Sequence, residues 1–245
     1  MAHPPHDHVR RRPSARLGTL VPMLLVGALV ATGCGSDSSP GAALKQDEPA
    51  TPKPVTVPTT DEDLDAEVGT ATVALLRGAG CELGTYPLEK AEHVDTVDEL
   101  DHKSFPPTSG HHFEVWAPFG LYDEPVADAY AVHNLEHGGV TVWFGNGVPQ
   151  EDQDAIAALL DQDEKWLVAP RTDMDGLFSG AWGVGLYCPT AALDKLTPEQ
   201  LADAVDTWYG AVVSTGSPAE KDVPAYAGSM KEPAPVKDIS TEAPF

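Results

Sequence analysis

The 245-residue chain carries 38 acidic against 15 basic side chains, a formal charge of −23 with the histidines neutral. Its 42% apolar composition is enough to build a globular core. The charge argues against nucleic acid as a partner and against adsorption of the protein surface to anionic lipid headgroups.

The N-terminus sets the expected compartment. Arg10, Arg11, Arg12 and Arg16 form a basic region, and residues 17–32 carry no charge. The apolar run is shorter than the roughly 20 residues of a spanning helix, so residues 1–33 read as a signal peptide. Ala31-Thr32-Gly33-Cys34 resembles a bacterial lipoprotein box, which predicts acylation of Cys34 and anchoring at the outer face of the cell membrane. Each buried methylene contributes about 0.8 kcal/mol, so two or three acyl chains hold a protein far better than one. Membrane contact is then expected through the lipid alone. Loss of residues 1–33 removes four arginines and one aspartate and leaves a mature charge of about −26.

Residues 34–68 are rich in Pro, Thr, Ser and acid and are expected to form a disordered tether, with the acidic run 61–67 as a solvated stretch. Globular composition runs from residue 69 to 215, a single domain. Residues 216–245 are Pro-rich and aperiodic and predict a tail. With Cys34 assigned to lipid, Cys81 and Cys188 are the remaining cysteines in an oxidising compartment, and a disulfide is the natural pairing.

Within the domain, residues 112–117, 139–144, 166–170 and 181–188 have the β-rich composition of strands. Residues 126–139 predict a short helix ended by Gly138 or Gly139, and residues 150–161 a second. Thr197-Pro198-Glu199-Gln200 supplies a cap, a first-turn proline and a capping-box glutamine, opening a third helix to residue 213. Residues 172–176 read as a turn, and Met174 there offers a soft donor suited to copper. Trp116, Trp143, Trp182 and Trp208 are expected in or near the core. Strands and helices interleave without a regular βαβ rhythm or a Gly-rich phosphate loop. The expected class is α+β, with a small mixed or antiparallel sheet, two or three helices and one disulfide.

The chemistry is concentrated in the histidines. His3, His6 and His8 leave with the signal peptide, and the six others, His93, His102, His111, His112, His133 and His137, all lie between residues 93 and 137. On a helix, His133 and His137 stand about 40° apart, with Glu136 about 60° to the other side of His133. Two imidazoles four apart can bind one ion, with further ligands brought from elsewhere. The His-x-x-Glu-His spacing also matches the inverted zincin motif, in which the glutamate activates metal-bound water. Such enzymes need a further carboxylate downstream, and Glu199, in a capping turn, is poorly placed to supply it. Glu136 otherwise reads as a partner orienting a ligand imidazole.

Cys81, Tyr86-Pro87, His93-Val94 and Pro106-Pro107-Thr108-Ser109-Gly110-His111-His112 form an ordered series with Gly120-Leu121-Tyr122, His133-Asn134-Leu135-Glu136-His137-Gly138-Gly139-Val140 and Ala181-Trp182-Gly183. This series resembles the bacterial domain-of-unknown-function family 3105, found in many actinobacterial exported and membrane-anchored proteins. The resemblance spans about residues 80 to 210. It implies that His93, His112, His133 and His137 matter while His102 and His111 do not, and it implies no reaction. A longer acidic stretch after His93 departs from the family's pattern at the point that positions that residue.

The leading expectation is a lipid-anchored cell-envelope domain that handles or senses Zn or Cu through His112, His133 and His137, with His93 as a fourth ligand or an orienting group. The alternatives are a metal-dependent hydrolase with Glu136 as general base, and a metal-free interaction module whose histidines satisfy buried hydrogen bonds.

Overall fold

A computed structural model of the chain describes residues 51–160 and 165–218. The expected signal peptide, Cys34, the first part of the expected tether and the expected tail beyond Pro218 lie outside the described residues.

The first described residues join the domain rather than a tether. Lys53 N–H donates to the Asp173 carbonyl, Thr56 N–H to Phe105, and Thr59 exchanges two backbone hydrogen bonds with Thr85. The acidic run then forms helix α1, Glu62–Val68, with the Asp61 side chain accepting the Leu64 N–H. Three acidic residues in a first turn complement the helix dipole, while Leu64 packs on the core and Val68 is buried in it. Helix α2, Thr70–Ala79, ends at the left-handed Gly80. Arg77 pairs with Asp65 through both terminal guanidinium nitrogens.

Strand β1, Glu82–Thr85, is followed by a long irregular segment to β2, Gly120–Leu121. Next come helix α3, Asp128–Glu136, strand β3, Val140–Asn146, helix α4, Gln150–Ala157, and strand β4, Trp166–Asp175. β5, Leu177–Ala181, and β6, Val184–Cys188, lead into α5, Thr190–Leu193, and α6, Pro198–Val212. The strand order is β1-β6-β5-β3-β4-β2, with β3, β4 and β2 parallel and the other pairs antiparallel. The class is α+β as expected, but the sheet is larger, at six strands, and the described residues contain six α-helices.

Alternation along the central strands fills both faces. Val140, Val142 and Phe144 of β3, with Trp166 and Val168 of β4, meet α1, α2, α4 and α6. Trp143, Leu167 and Ala169 point the other way, toward Ala131 of α3, Tyr86, Met174 and Phe178. A strand buried on both sides reads as a continuous apolar run, as β3 does. The α6 capping box forms as its sequence implies, Thr197 and Gln200 exchanging bonds. Cys81 and Cys188 are disulfide-bonded, next to the β1–β6 pairing.

Three expected elements are corrected. Residues 112–117 form no strand: the Ala117 N–H is taken by the side chain of Asn134 and the Phe113 N–H by the Ala129 carbonyl. Residues 181–188 are the end of one strand, a turn at Trp182-Gly183 and a second strand, with Gly183 at φ +73°. Residues 172–175 continue β4, and only Gly176 turns. Met174 is fully buried, in one apolar cluster with Trp143, Leu167 and Phe178.

Candidate metal centre

Helix α3 is buried on nearly every side; Ala129 and every residue from Ala131 to Glu136 are less than one tenth exposed. A helix so enclosed must find a partner for each polar side chain. Asn134 bonds Ala117 through both ends of its amide. His133 lies with Nδ1 2.7 Å from the Phe113 carbonyl. A carbonyl only accepts, so Nδ1 carries the proton and Nε2 presents its lone pair.

His112 repeats the arrangement from a different segment. It is fully buried, and its Nδ1 lies 2.9 Å from the Gly110 carbonyl. A short parallel bridge sets His93 beside it: His112 N–H donates to the Glu92 carbonyl at 3.0 Å, and Val94 N–H to that of His112 at 2.8 Å. The acidic insertion after His93 therefore loops out without displacing that residue.

These segments converge. His93, His112, His133 and Glu136 each offer one donor atom, and the four atoms lie within 4.8 Å of one another. His112, His133 and Glu136 are buried, whereas His93 is exposed. The imidazole centroids of His93, His112 and His133 are 4.8 to 5.0 Å apart. His112 Nε2 stands 2.9 Å from Glu136 Oε2, yet the approach does not meet hydrogen-bond geometry. With Nδ1 on the Gly110 carbonyl, His112 holds Nε2 against the Glu136 carboxylate, a contact that a cation or a proton between them makes favourable.

The electrostatics agree. Burial pushes the His133 pKa down to about 4, against the Phe113 carbonyl and reinforced by the neighbouring imidazoles, so the ring is neutral at ordinary pH. Burial opposes charge on Glu136, but His112 beside it, with His133 and His137, holds its pKa below the usual value. The carboxylate is therefore ionised.

His137, expected among the ligands, stands one step back. It caps α3, with Nε2 2.8 Å from His133 Nε2 and the two rings stacked. Trp116 closes over both, edge-on at 5.1 and 5.0 Å, so this tryptophan packs against the site instead of the core. His102 and His111 turn away: His102 Nε2 meets the His111 carbonyl, and His111 bonds the Glu99 carbonyl and faces Glu92. Glu199 lies in the first turn of α6, outside the group.

Two features carry no pattern in the sequence. Arg171, buried, donates from Nε to Asp173 at 2.7 Å and grips Asp128, the first residue of α3, with both terminal nitrogens. A cavity of about 330 Å³ opens there, lined by Lys53, His102, Phe113, Asp128, Arg171 and Asp173 among others, and by none of the four convergent donors. The second is the direct place of Glu136 among the donors, which the His-x-x-Glu-His spacing signals only as a base or an orienting group.

Residues 93–215 match a family described as a protein of unknown function, DUF3105. No curated protein and no solved structure matches the chain.

Proposed function

The chain belongs to the DUF3105 family, and we propose that it binds one zinc or copper ion through His93, His112, His133 and Glu136 and serves to handle or sense that ion. One observation carries the reading. Buried imidazoles from two separate segments, His112 and His133, each tie Nδ1 to a backbone carbonyl, and one donor atom of each lies within 4.8 Å of one from His93 and one from Glu136. Metal-ligating histidines are oriented in this way, by the hydrogen bond of the other ring nitrogen. Three imidazoles and one carboxylate suit tetrahedral zinc, and imidazole serves copper equally.

The geometry favours binding over hydrolysis. As a donor to the ion, Glu136 is not free to take a proton from water bound there. The cavity beside Arg171 touches none of the donors. A metal-free interaction module would hold the His112–Glu136 contact with a proton where the metal reading has an ion. The compartment belongs to the same proposal: Cys34 is acylated and the domain faces outward from the membrane surface. A Cys34→Ser chain that still sediments with membranes would remove the lipid anchor.

The test of the site is metal content. The full chain, loaded separately with zinc and copper and then freed of loosely held ion by a weak chelator, should retain about one equivalent. A His112→Ala/His133→Ala variant with unchanged far-UV circular dichroism should retain none. Retention of neither ion by the wild type sinks the proposal.

A further inference from the structure

The four donors hang on two separate supports. His93 and His112 sit on the bridged loop, and His133 and Glu136 on the last turn of α3. Their relative position depends on what holds that last turn, where the final carbonyls of a helix have no partner within it. A short strap of chain after α6 supplies part of the answer.

The His133, Asn134 and Leu135 carbonyls accept from the N–H groups of His137, Gly139 and Gly138, the helix's own exit. The Glu136 carbonyl accepts instead from Ser217 N–H at 2.9 Å, and the Gly138 carbonyl from Ser214 N–H at 2.9 Å. The Lys165 ammonium serves the His137 carbonyl at 2.8 Å. The backbone of the residue that offers the carboxylate is thus held by a segment remote in sequence.

The approach is as close as backbones allow. A Cβ on Gly216 would lie 2.3 Å from the Glu136 carbonyl oxygen and 2.4 Å from the Gly138 nitrogen. Gly138, at φ +74°, would place a Cβ 2.8 Å from Ser214 Cα. Ser214 itself adopts φ 74°, the left-handed region that a serine seldom occupies. A residue persists there when its surroundings over-determine it; here Thr215 N–H bonds the Val212 carbonyl on one side and α3 fixes the strap on the other.

We infer that the strap Ser214–Ser217 sets the position of Glu136 and His133 relative to the loop-borne donors, with Gly216 as its positioning residue. This rests on the metal reading above. Any side chain at residue 216 forces strap and helix end apart, and the donor set opens while the sheet and its helices stay intact.

The experiment compares zinc affinity of the full chain by competition with a chromophoric chelator. Gly216→Ala should bind zinc about ten- to a hundredfold more weakly than wild type, the range for losing a group that orients a ligand. Gly210→Ala, on α6 with open space around it, should bind as wild type does. Far-UV circular dichroism and the melting temperature of the metal-free protein separate this from general destabilisation. Should Gly216→Ala fail to fold, Ser217→Pro removes the N–H given to Glu136 and sets its ring Cδ against that carbonyl, prising the strap off at a second point, and it should weaken zinc in the same direction. Wild-type affinity in either folded variant overturns the strap's role alone. A wild type that takes up no zinc overturns the metal reading and this inference with it.

Discussion

Asn134 and Ala117 are joined twice: the amide oxygen accepts the Ala117 N–H at 3.1 Å, and the amide nitrogen donates to the Ala117 carbonyl at 2.7 Å. This one side chain replaces the ladder that a strand at 112–117 would have formed. It also fixes the loop whose Phe113 carbonyl orients His133 and whose Trp116 covers it. Asn134→Leu should destabilise the protein by roughly 2–4 kcal/mol, because two buried backbone groups lose their partners at once. Urea unfolding measures it; a midpoint equal to wild type would show that water or another group replaces the amide.

Charge and proximity predict a ranking among the donors. Glu136→Gln keeps the shape and removes the charge, and should weaken zinc binding at least tenfold. His112→Ala removes a buried donor and should abolish stoichiometric binding. His137→Ala should cost less than either, because His137 meets His133 and not the common point. Calorimetric titration of the three variants gives the order, and a His137→Ala loss as deep as that of His112→Ala would make His137 a ligand.

Asp173 gives a pH dependence. Burial alone would raise its pKa, but Arg171 and, less strongly, Lys53 bring it below the usual carboxylate value. A folded-state pKa below the unfolded one, about 3.9, contributes stability that is present above the unfolded value and lost as pH falls through the folded one. Asp173→Asn should therefore cost roughly 2 kcal/mol at pH 7, Asp128 still partnering Arg171. The gap to wild type should shrink below about pH 4. Denaturant midpoints at pH 7 and pH 3 decide it; an equal gap at both would assign the loss to packing.

The disulfide ties residues 107 apart in sequence. Closing a loop of that length contributes about 4–5 kcal/mol in the chain-entropy model, with measured values often lower. Cys81→Ala/Cys188→Ala should lose roughly 2–5 kcal/mol and melt correspondingly lower, as calorimetry would show. A change under about 1 kcal/mol would mean that β1–β6 pairing already restrains the unfolded chain there.

Local signals in the sequence are legible where a few neighbouring residues decide the outcome. The Thr197–Gln200 capping box, the β-rich composition of residues 139–144 and the cysteine pairing are of this kind. The histidine cluster is legible as a set of residue types, but not as a place. His93 reaches His112 through a two-residue bridge that has no composition of its own, and Glu136 becomes a donor only because α3 is enclosed on all sides. Residues 112–117 misread as a strand because Phe113 and Trp116 pack against a helix and its histidines, not across a ladder, while Val115 stays exposed. Helices α1 and α2 give no such signal: α1 is seven residues of mostly acid whose apolar positions count only against the sheet. The Arg171 cluster joins Asp128 and Asp173, an ordinary aspartate 43 residues away and another beside it. Nothing short of the fold would pair them.

His93 is the one exposed member of the donor set, while His112, His133 and Glu136 are sealed. For the ion proposed above, thermodynamic hold and exchange rate would then reside in different residues. The three enclosed donors would set how tightly it is kept. The outward imidazole is the one a competing chelator meets first, so it would govern how fast the ion leaves. Substitution of His93 should then alter the dissociation half-life in the presence of a competing chelator more than the equilibrium constant, the kinetic signature of a carrier and not of a vault.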